Sequence, residues 1–158
     1  MTRTGIGYDS HRLVDGRPLI LGGQRIPFER GLAGHSDADA VAHALTDAIL
    51  GAAAAGDIGQ HFPDRDLRWK DADSLELLRQ ACALVRERGL APVQADITVL
   101  AERPKLGPYL GAMAAALAEA SGIPVTAIGL KAKTNEGMGF IGRGEGIAAI
   151  AVATVEAR

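Results

Sequence analysis

Residues His35 to Asp47 read His-Ser-Asp-Ala-Asp-Ala-Val-Ala-His-Ala-Leu-Thr-Asp, and this stretch limits what the chain can fold into. Two of the four histidines and three carboxylates fall inside it. Ser36 or Asp37 is a suitable helix N-cap, and Asp39 at the third helical position would complete an arrangement like a capping box. Val41, Leu45, Ala48 and Ile49 follow at helical spacing, which predicts a helix from about Asp37 to about Ala54 with one buried face. His35 then lies just before the helix, near its positive end. His43 lies two turns in, with Asp39 and Asp47 one turn to either side. A helix start beside imidazoles suits an anionic ligand, a metal, or both.

The packing around this helix must rely on close approach. Apolar residues are 47% of the 158, aromatics only 4%, and Ala and Gly carry much of the apolar count. The length fits one domain, residues 1–158, with a core of useful size. The net charge of −2 and the lack of a basic run exclude a nucleic-acid footprint, so phosphate recognition must be local. Cys82 is the single cysteine, on an apolar helical face with Leu78, Ala81 and Val85, and reads as a buried, unreactive thiol. No apolar run reaches the roughly 20 residues that span a membrane. The N-terminus has no signal-peptide layout, so a soluble, cytoplasmic chain is expected.

Strands and helices can be placed in order. Thr2 to Tyr8 reads as a strand leading into Asp9-Ser10-His11. Leu19–Leu21 and Gln24–Pro27 flank Gly22-Gly23 as a hairpin. Ser74 to Arg88 is an amphipathic helix capped by Ser74 and ended at Gly89. Val93 to Ala101 alternates as a half-buried strand. Tyr109 to Ser121 is an Ala-rich helix, Ala127 to Lys133 a strand, and Gly146 to Val155 an apolar last strand, central or at a subunit interface. The expected fold is α/β (α+β): a mixed sheet with helices on one face. The other face, read as Ala- and Gly-rich, would be left for a partner copy.

Chemistry concentrates in three places. Residues two apart on a strand point the same way, so Asp9 and His11 can present an oxygen and a nitrogen to one point. With His43 they supply three ligands and leave a fourth position open, the layout of a catalytic zinc site. Asp39 and His35 are open as alternative ligands, and Asp39 with His43 is a rival pair. Asp47 is a candidate to hold His43's other ring nitrogen. Gly56 to Asp66 is the longest irregular segment, either a substrate lid or a loop pinned by Phe62. Gly137-x-Gly139-x-x-Gly142 formally matches a dinucleotide fingerprint but precedes a strand, so that reading is rejected. These glycines serve a sharp turn, or a backbone approach to phosphate with Arg143 as anion partner.

Taken together, the motifs Gly7-Tyr8-Asp9-Ser10-His11, His35-Ser36-Asp37-Ala38-Asp39, His43-Ala44-Leu45-Thr46-Asp47, Gly56-Asp57-Ile58-Gly59, Phe62-Pro63-Asp64, Arg103-Pro104-Lys105, Lys131 to Glu136 and Gly139 to Gly146 resemble the 2-C-methyl-D-erythritol 2,4-cyclodiphosphate synthases over nearly the whole chain. The resemblance implies a homotrimer with active sites between subunits. It also implies cyclisation of 4-diphosphocytidyl-2-C-methyl-D-erythritol 2-phosphate with release of CMP, in the non-mevalonate isoprenoid pathway. Asp9, His11 and His43 are implied as zinc ligands, and Glu136 as the ligand of a second ion, magnesium or manganese. His35 and Thr134 are implied as transition-state stabilisers, with His35 and Ser36 beside the 2-phosphate. Asp57, Ile58 and Gly59 with Phe62, Pro63, Asp64, Arg65 and Asp66 would close over the erythritol. Pro104, Lys105, Ala132, Lys133, Thr134 and Asn135 would meet the cytidine diphosphate side. Phe140 and Arg143 would lie near substrate or the trimer axis. Two other readings remain: a zinc phosphohydrolase with Asp39 or Asp57 as base, and a non-catalytic, metal-stabilised trimeric binding module.

Overall fold

The structure, a computed structural model, describes residues Met1–Arg158. Seven strands and five helices follow in the order β1 (Thr2–Val14), β2 (Leu19–Leu21), β3 (Gln24–Ile26), β4 (Gly31–Leu32), α1 (Ala40–Ala52), α2 (Ile58–His61), α3 (Ser74–Glu87), β5 (Leu90–Leu100), α4 (Leu110–Ser121), β6 (Ile128–Lys133), α5 (Gly139–Gly142) and β7 (Gly146–Ala157). Single 3-10 turns stand at Leu67–Trp69, Gly107–Tyr109 and Val125–Ala127. The main sheet runs β4-β1-β7-β5-β6, and β2-β3 form the separate hairpin expected around Gly22-Gly23. All pairs in the main sheet are antiparallel except β5 with β6, which needs a crossover, and α4 supplies it. The last strand is central, as its apolar run requires.

Helices α1, α3 and α4 cover one face, with α1 lying across β1 and β7. The small residues make that approach possible. A Cβ on Gly5 would overlap the carbonyl of Ala48, and one on Gly7 the carbonyl of Ala44. Ala149, Ala151 and Ala153 of β7 are buried beneath the same helix. The Ala- and Gly-rich face is therefore the helix-covered one, which corrects the expectation that it faces a partner. The uncovered face instead carries Ile6, Tyr8, Ile150 and Val152, exposed by 71%, 54%, 37% and 40%. Large side chains are accepted there because no helix backbone crowds them.

Helix starts differ from the expectation by a few residues. Asp39, not Ser36 or Asp37, caps α1, and its carboxylate accepts from the Ala42 N–H at 3.0 Å. Asp73, not Ser74, caps α3. Ser74 is thereby free for another contact. Cys82 is fully buried, and burial pushes its thiol up to about 11, so it is a packing residue. The segment after α1 is more ordered than its composition suggested, because Asp57 caps the short α2 and Asp66 caps the 3-10 turn at Leu67–Trp69. At α5, a side chain on Gly142 would overlap the backbone of Gly137, so the glycines there serve a tight turn into β7. No helix is long and apolar enough to cross a membrane.

Candidate active site

Asp9 and His11 project from β1 toward α1, as strand alternation requires, and His43 projects from α1 to meet them. Their ligand atoms all lie within 4.8 Å of one another. His11 Nε2 is 2.7 Å from Asp9 Oδ2, His43 Nδ1 is 3.0 Å from the same oxygen, and the two ring nitrogens are 3.3 Å apart. Asp39 is not part of this cluster. It is fully buried and accepts from the Gly22 and Gly23 N–H groups at 2.8 and 2.7 Å, so the rival Asp39–His43 pair does not form.

Each histidine is oriented from behind. His11 Nδ1–H donates to the Ala33 carbonyl at 2.8 Å, which turns Nε2 toward Asp9 and His43, to share a proton with Asp9 in the metal-free protein or to present its lone pair to a metal. His43 Nε2 meets Ser74 Oγ at 2.7 Å and Ser36 Oγ at 3.2 Å. Ser74 donates its own hydroxyl to Asp37, so it accepts from His43 Nε2–H and leaves Nδ1 free to bind. Asp47, expected to hold His43, instead accepts the Ile58 N–H at 2.7 Å and anchors the start of α2. Ser74 was not legible as a site residue: a hydroxyl at a helix start reads as a cap, and only the tertiary fold brings it under His43.

The electrostatics match a metal site. Burial pushes the Asp9 carboxyl up, but its contacts with His11 and His43 outweigh it and hold Asp9 below the usual range. Burial likewise disfavours a charged His11, but the Asp9 contact outweighs it and raises His11. Two imidazoles oriented from behind and a carboxylate, converging within 4.8 Å, fit a divalent metal, which would take the place of the shared proton.

A cleft of about 620 Å³ opens from this cluster. Of the predicted residues, Asp9, His11, His35, Ser36, His43, Ile58, Gly59, Phe62, Pro63, Asp64 and Arg65 line it. Phe62 is buried and stands edge-on to Trp69, ring centroids 5.0 Å apart, so it both pins the loop and walls the cleft. Trp69 and Leu77 also line it and were not singled out from sequence. Asp57 and Asp66 act one step back, as caps. The remaining predicted residues lie elsewhere. Pro104 and Lys105 follow β5. Ala132 and Lys133 end β6, and Thr134, Asn135 and Glu136 form the exposed loop after it. Glu102 ties that loop down by accepting from the Asn135 and Gly137 N–H groups at 2.6 and 3.3 Å. Phe140 and Arg143 stand on and after α5. Phe140 lines a surface pocket together with Ser10 and Arg12, and Arg143 pairs with Glu145 at 3.1 Å.

Known proteins share the sequence and the backbone of this chain. The chain matches the YgbB family over residues 2–156. It is 57% identical to 2-C-methyl-D-erythritol 2,4-cyclodiphosphate synthase of Salinibacter ruber over 98% of both chains. It is 58% identical to that of Symbiobacterium thermophilum, again over 98% of both. A solved synthase in a CDP-bound form superposes with a TM-score of 0.89 at 45% identity, over 98% of this chain and 100% of that one. The bifunctional IspDF from Campylobacter jejuni superposes at 0.96 with 44% identity, over all of this chain but only 43% of that longer one. In sequence and in backbone alike, the chain belongs to the YgbB family of 2-C-methyl-D-erythritol 2,4-cyclodiphosphate synthases.

Proposed function

We propose that the chain converts 4-diphosphocytidyl-2-C-methyl-D-erythritol 2-phosphate to the 2,4-cyclodiphosphate and CMP, by attack of the 2-phosphate on the β-phosphorus. The observation that carries this reading is the convergence of Asp9, His11 and His43 at the mouth of a cleft walled by His35, Ser36 and the Ile58–Arg65 loop. Zinc held by that triad would supply Lewis acidity toward the β-phosphate, and a magnesium or manganese ion held by Glu136 would share the diphosphate charge. No side-chain nucleophile is required, because the substrate carries its own. The chain's task is to fold a flexible molecule so that nucleophile and target are in line, and to exclude water that would compete. Ala33, Ser74 and Ser36 fix the two imidazoles. His35 stands at the rim as a hydrogen-bond partner for the 2-phosphate. Phe62 and Trp69 give the loop a stiff apolar floor against which the erythritol can sit.

The nucleotide side of this reading calls for another copy of the chain. Asp9 pairs with Ala149, Ala149 with Val99, and Val99 with Ala132, so the Ala132–Glu136 segment starts three strands away, about 14 Å. It does not line the chain's own cleft. The uncovered apolar sheet face supports a homotrimer in which each cleft receives Pro104, Lys105 and the 132–136 loop from its neighbour. The CDP-bound relative supports a cytidine diphosphate substrate.

Phosphorus NMR of the zinc- and magnesium-loaded protein with this substrate in oxygen-18 water tests the reaction. The expected result is CMP and a cyclic diphosphate carrying no solvent oxygen. Solvent oxygen in an opened phosphate would mean hydrolysis at the same site. An unchanged spectrum would leave only a binding module.

A further inference from the structure

Arg17 has no part in the reading above, yet its side chain holds the segment on which that reading depends. It leaves the turn after β1, where β4 pairs back onto β1 at Leu13–Leu32 and Val14–Gly31 and brings residues 31–36 alongside. Both of its hydrogen bonds go to main-chain carbonyls rather than to carboxylates. Nη1 donates to Gly34 O at 3.1 Å and Nη2 to Ser36 O at 2.8 Å, the two carbonyls that flank His35. Its Nε is buried with no partner. A buried donor left unpaired persists only where other contacts fix it, and here the fork is committed to spanning the two carbonyls.

The spanned segment touches both histidines of the triad. Ala33 O orients His11, the backbone at Gly34 lies close against the His11 ring, and Ser36 Oγ meets His43 Nε2. Two residues on, Ala38 sits in the left-handed region at φ 58°, unfavourable for a residue with a Cβ. The segment is held from one side by the Asp71 N–H on the His35 carbonyl at 2.8 Å and by the Asp37 N–H on the Ala72 carbonyl at 3.1 Å, and the rigid planar guanidinium of Arg17 spans the two remaining carbonyls in a way a flexible ammonium cannot.

We propose that Arg17 is a positioning residue for this site, a clamp that sets His35 and the backs of His11 and His43 without touching substrate. The inference rests on the cyclisation reading for its kinetic arm and is independent of it for its structural arm. In Arg17→Ala the kcat for cyclisation falls about tenfold or more, while KM changes by less than about threefold, because geometry rather than ground-state binding is lost. Methylguanidinium in the buffer restores part of kcat in Arg17→Ala. Arg17→Lys, which keeps the charge and the stem, stays slow. Hydrogen exchange of the zinc-free and zinc-loaded protein gives the second readout: in Arg17→Ala the amides of residues 33–39 exchange faster while β1, β7 and α1 keep their protection. Unchanged kcat together with unchanged exchange at 33–39 overturns the proposal. So does faster exchange spread over the whole sheet, which would make Arg17 a folding residue. If the native chain produces no cyclic product, the function reading fails on its own, and the exchange result alone decides the clamp.

Discussion

At His43 the nitrogen offered to Asp9 is selected by Ser74, through a hydroxyl that donates its hydrogen bond to Asp37 and so accepts from Nε2–H. Removing that hydroxyl lets the ring turn over and leaves Nε2–H with the weaker Ser36 contact. Ser74→Ala is expected to weaken zinc binding about 10–100-fold, read by competition with a chelating dye, with the fold intact. His43→Ala should lose zinc and turnover outright. The proton shared between Asp9 and His11 makes the site pH-sensitive, and the sign can be worked out. His11 is raised above its ordinary 6.5, so the stability it lends the metal-free protein is full below 6.5 and is lost as pH rises through its folded value. Asp9 is lowered below its ordinary 3.8, so its share is full above 3.8 and is lost as pH falls through its folded value. The metal-free protein should melt highest between these two ordinary values and lower on the alkaline side. Zinc must displace the His11 proton, so zinc affinity runs the other way and rises with pH across that same alkaline limb. Thermal melts with and without zinc across pH check both trends. Asp9 and His11 were legible as a pair because strand alternation is a local rule. Ser74 and Ala33 were not, because their roles exist only after α3 and the β4 turn are packed.

At the scale of elements, α1 is held at two points that also hold the site. Its cap, Asp39, is fully buried and accepts from Ala42, Gly22 and Gly23, joining the helix start to the β2-β3 hairpin. Asp39→Ala removes a cap and strands the buried Gly22 N–H and the part-buried Gly23 N–H, with an expected loss of about 2–4 kcal/mol in urea unfolding. On its other side, α1 presses against Gly5 and Gly7 of β1. Gly7→Ala must push the helix outward, carrying His43 away from Asp9. It should cost about 3 kcal/mol and weaken zinc binding as well, a joint loss that a surface glycine such as Gly16 would not show. Helical periodicity and strand alternation made every long element readable. The caps were misplaced because Ser36, Asp37 and Asp39 are each acceptable caps by type, and only the position of Gly22-Gly23 selects Asp39. The sheet faces were misassigned because small residues read equally well as an empty face or as a face on which a helix lies close.

The molecule as a whole leaves two things uncompleted: an apolar sheet face formed by Ile6, Tyr8, Ile150 and Val152, and a cleft without the 132–136 loop. One assembly answers both if the faces of three copies meet and each copy's loop reaches the next copy's cleft. The sharing can be tested by complementation between two inactive variants. His43→Ala destroys the triad but keeps the loop. Lys133→Ala/Thr134→Ala/Glu136→Ala destroys the loop but keeps the triad. In co-expressed mixed trimers, a cleft is whole when the subunit giving the triad is the loop variant and its neighbour giving the loop is the triad variant. With random assembly from equal amounts, about a quarter of clefts meet both conditions, so about 25% of native cyclisation should return. Neither variant alone should exceed background. If each chain built its site from its own residues, every cleft in the mixture would be broken and activity would stay at background. Val152→Asp, placed on the uncovered face, should then lower the sedimentation coefficient and abolish turnover while zinc still binds, because the triad lies wholly within one chain.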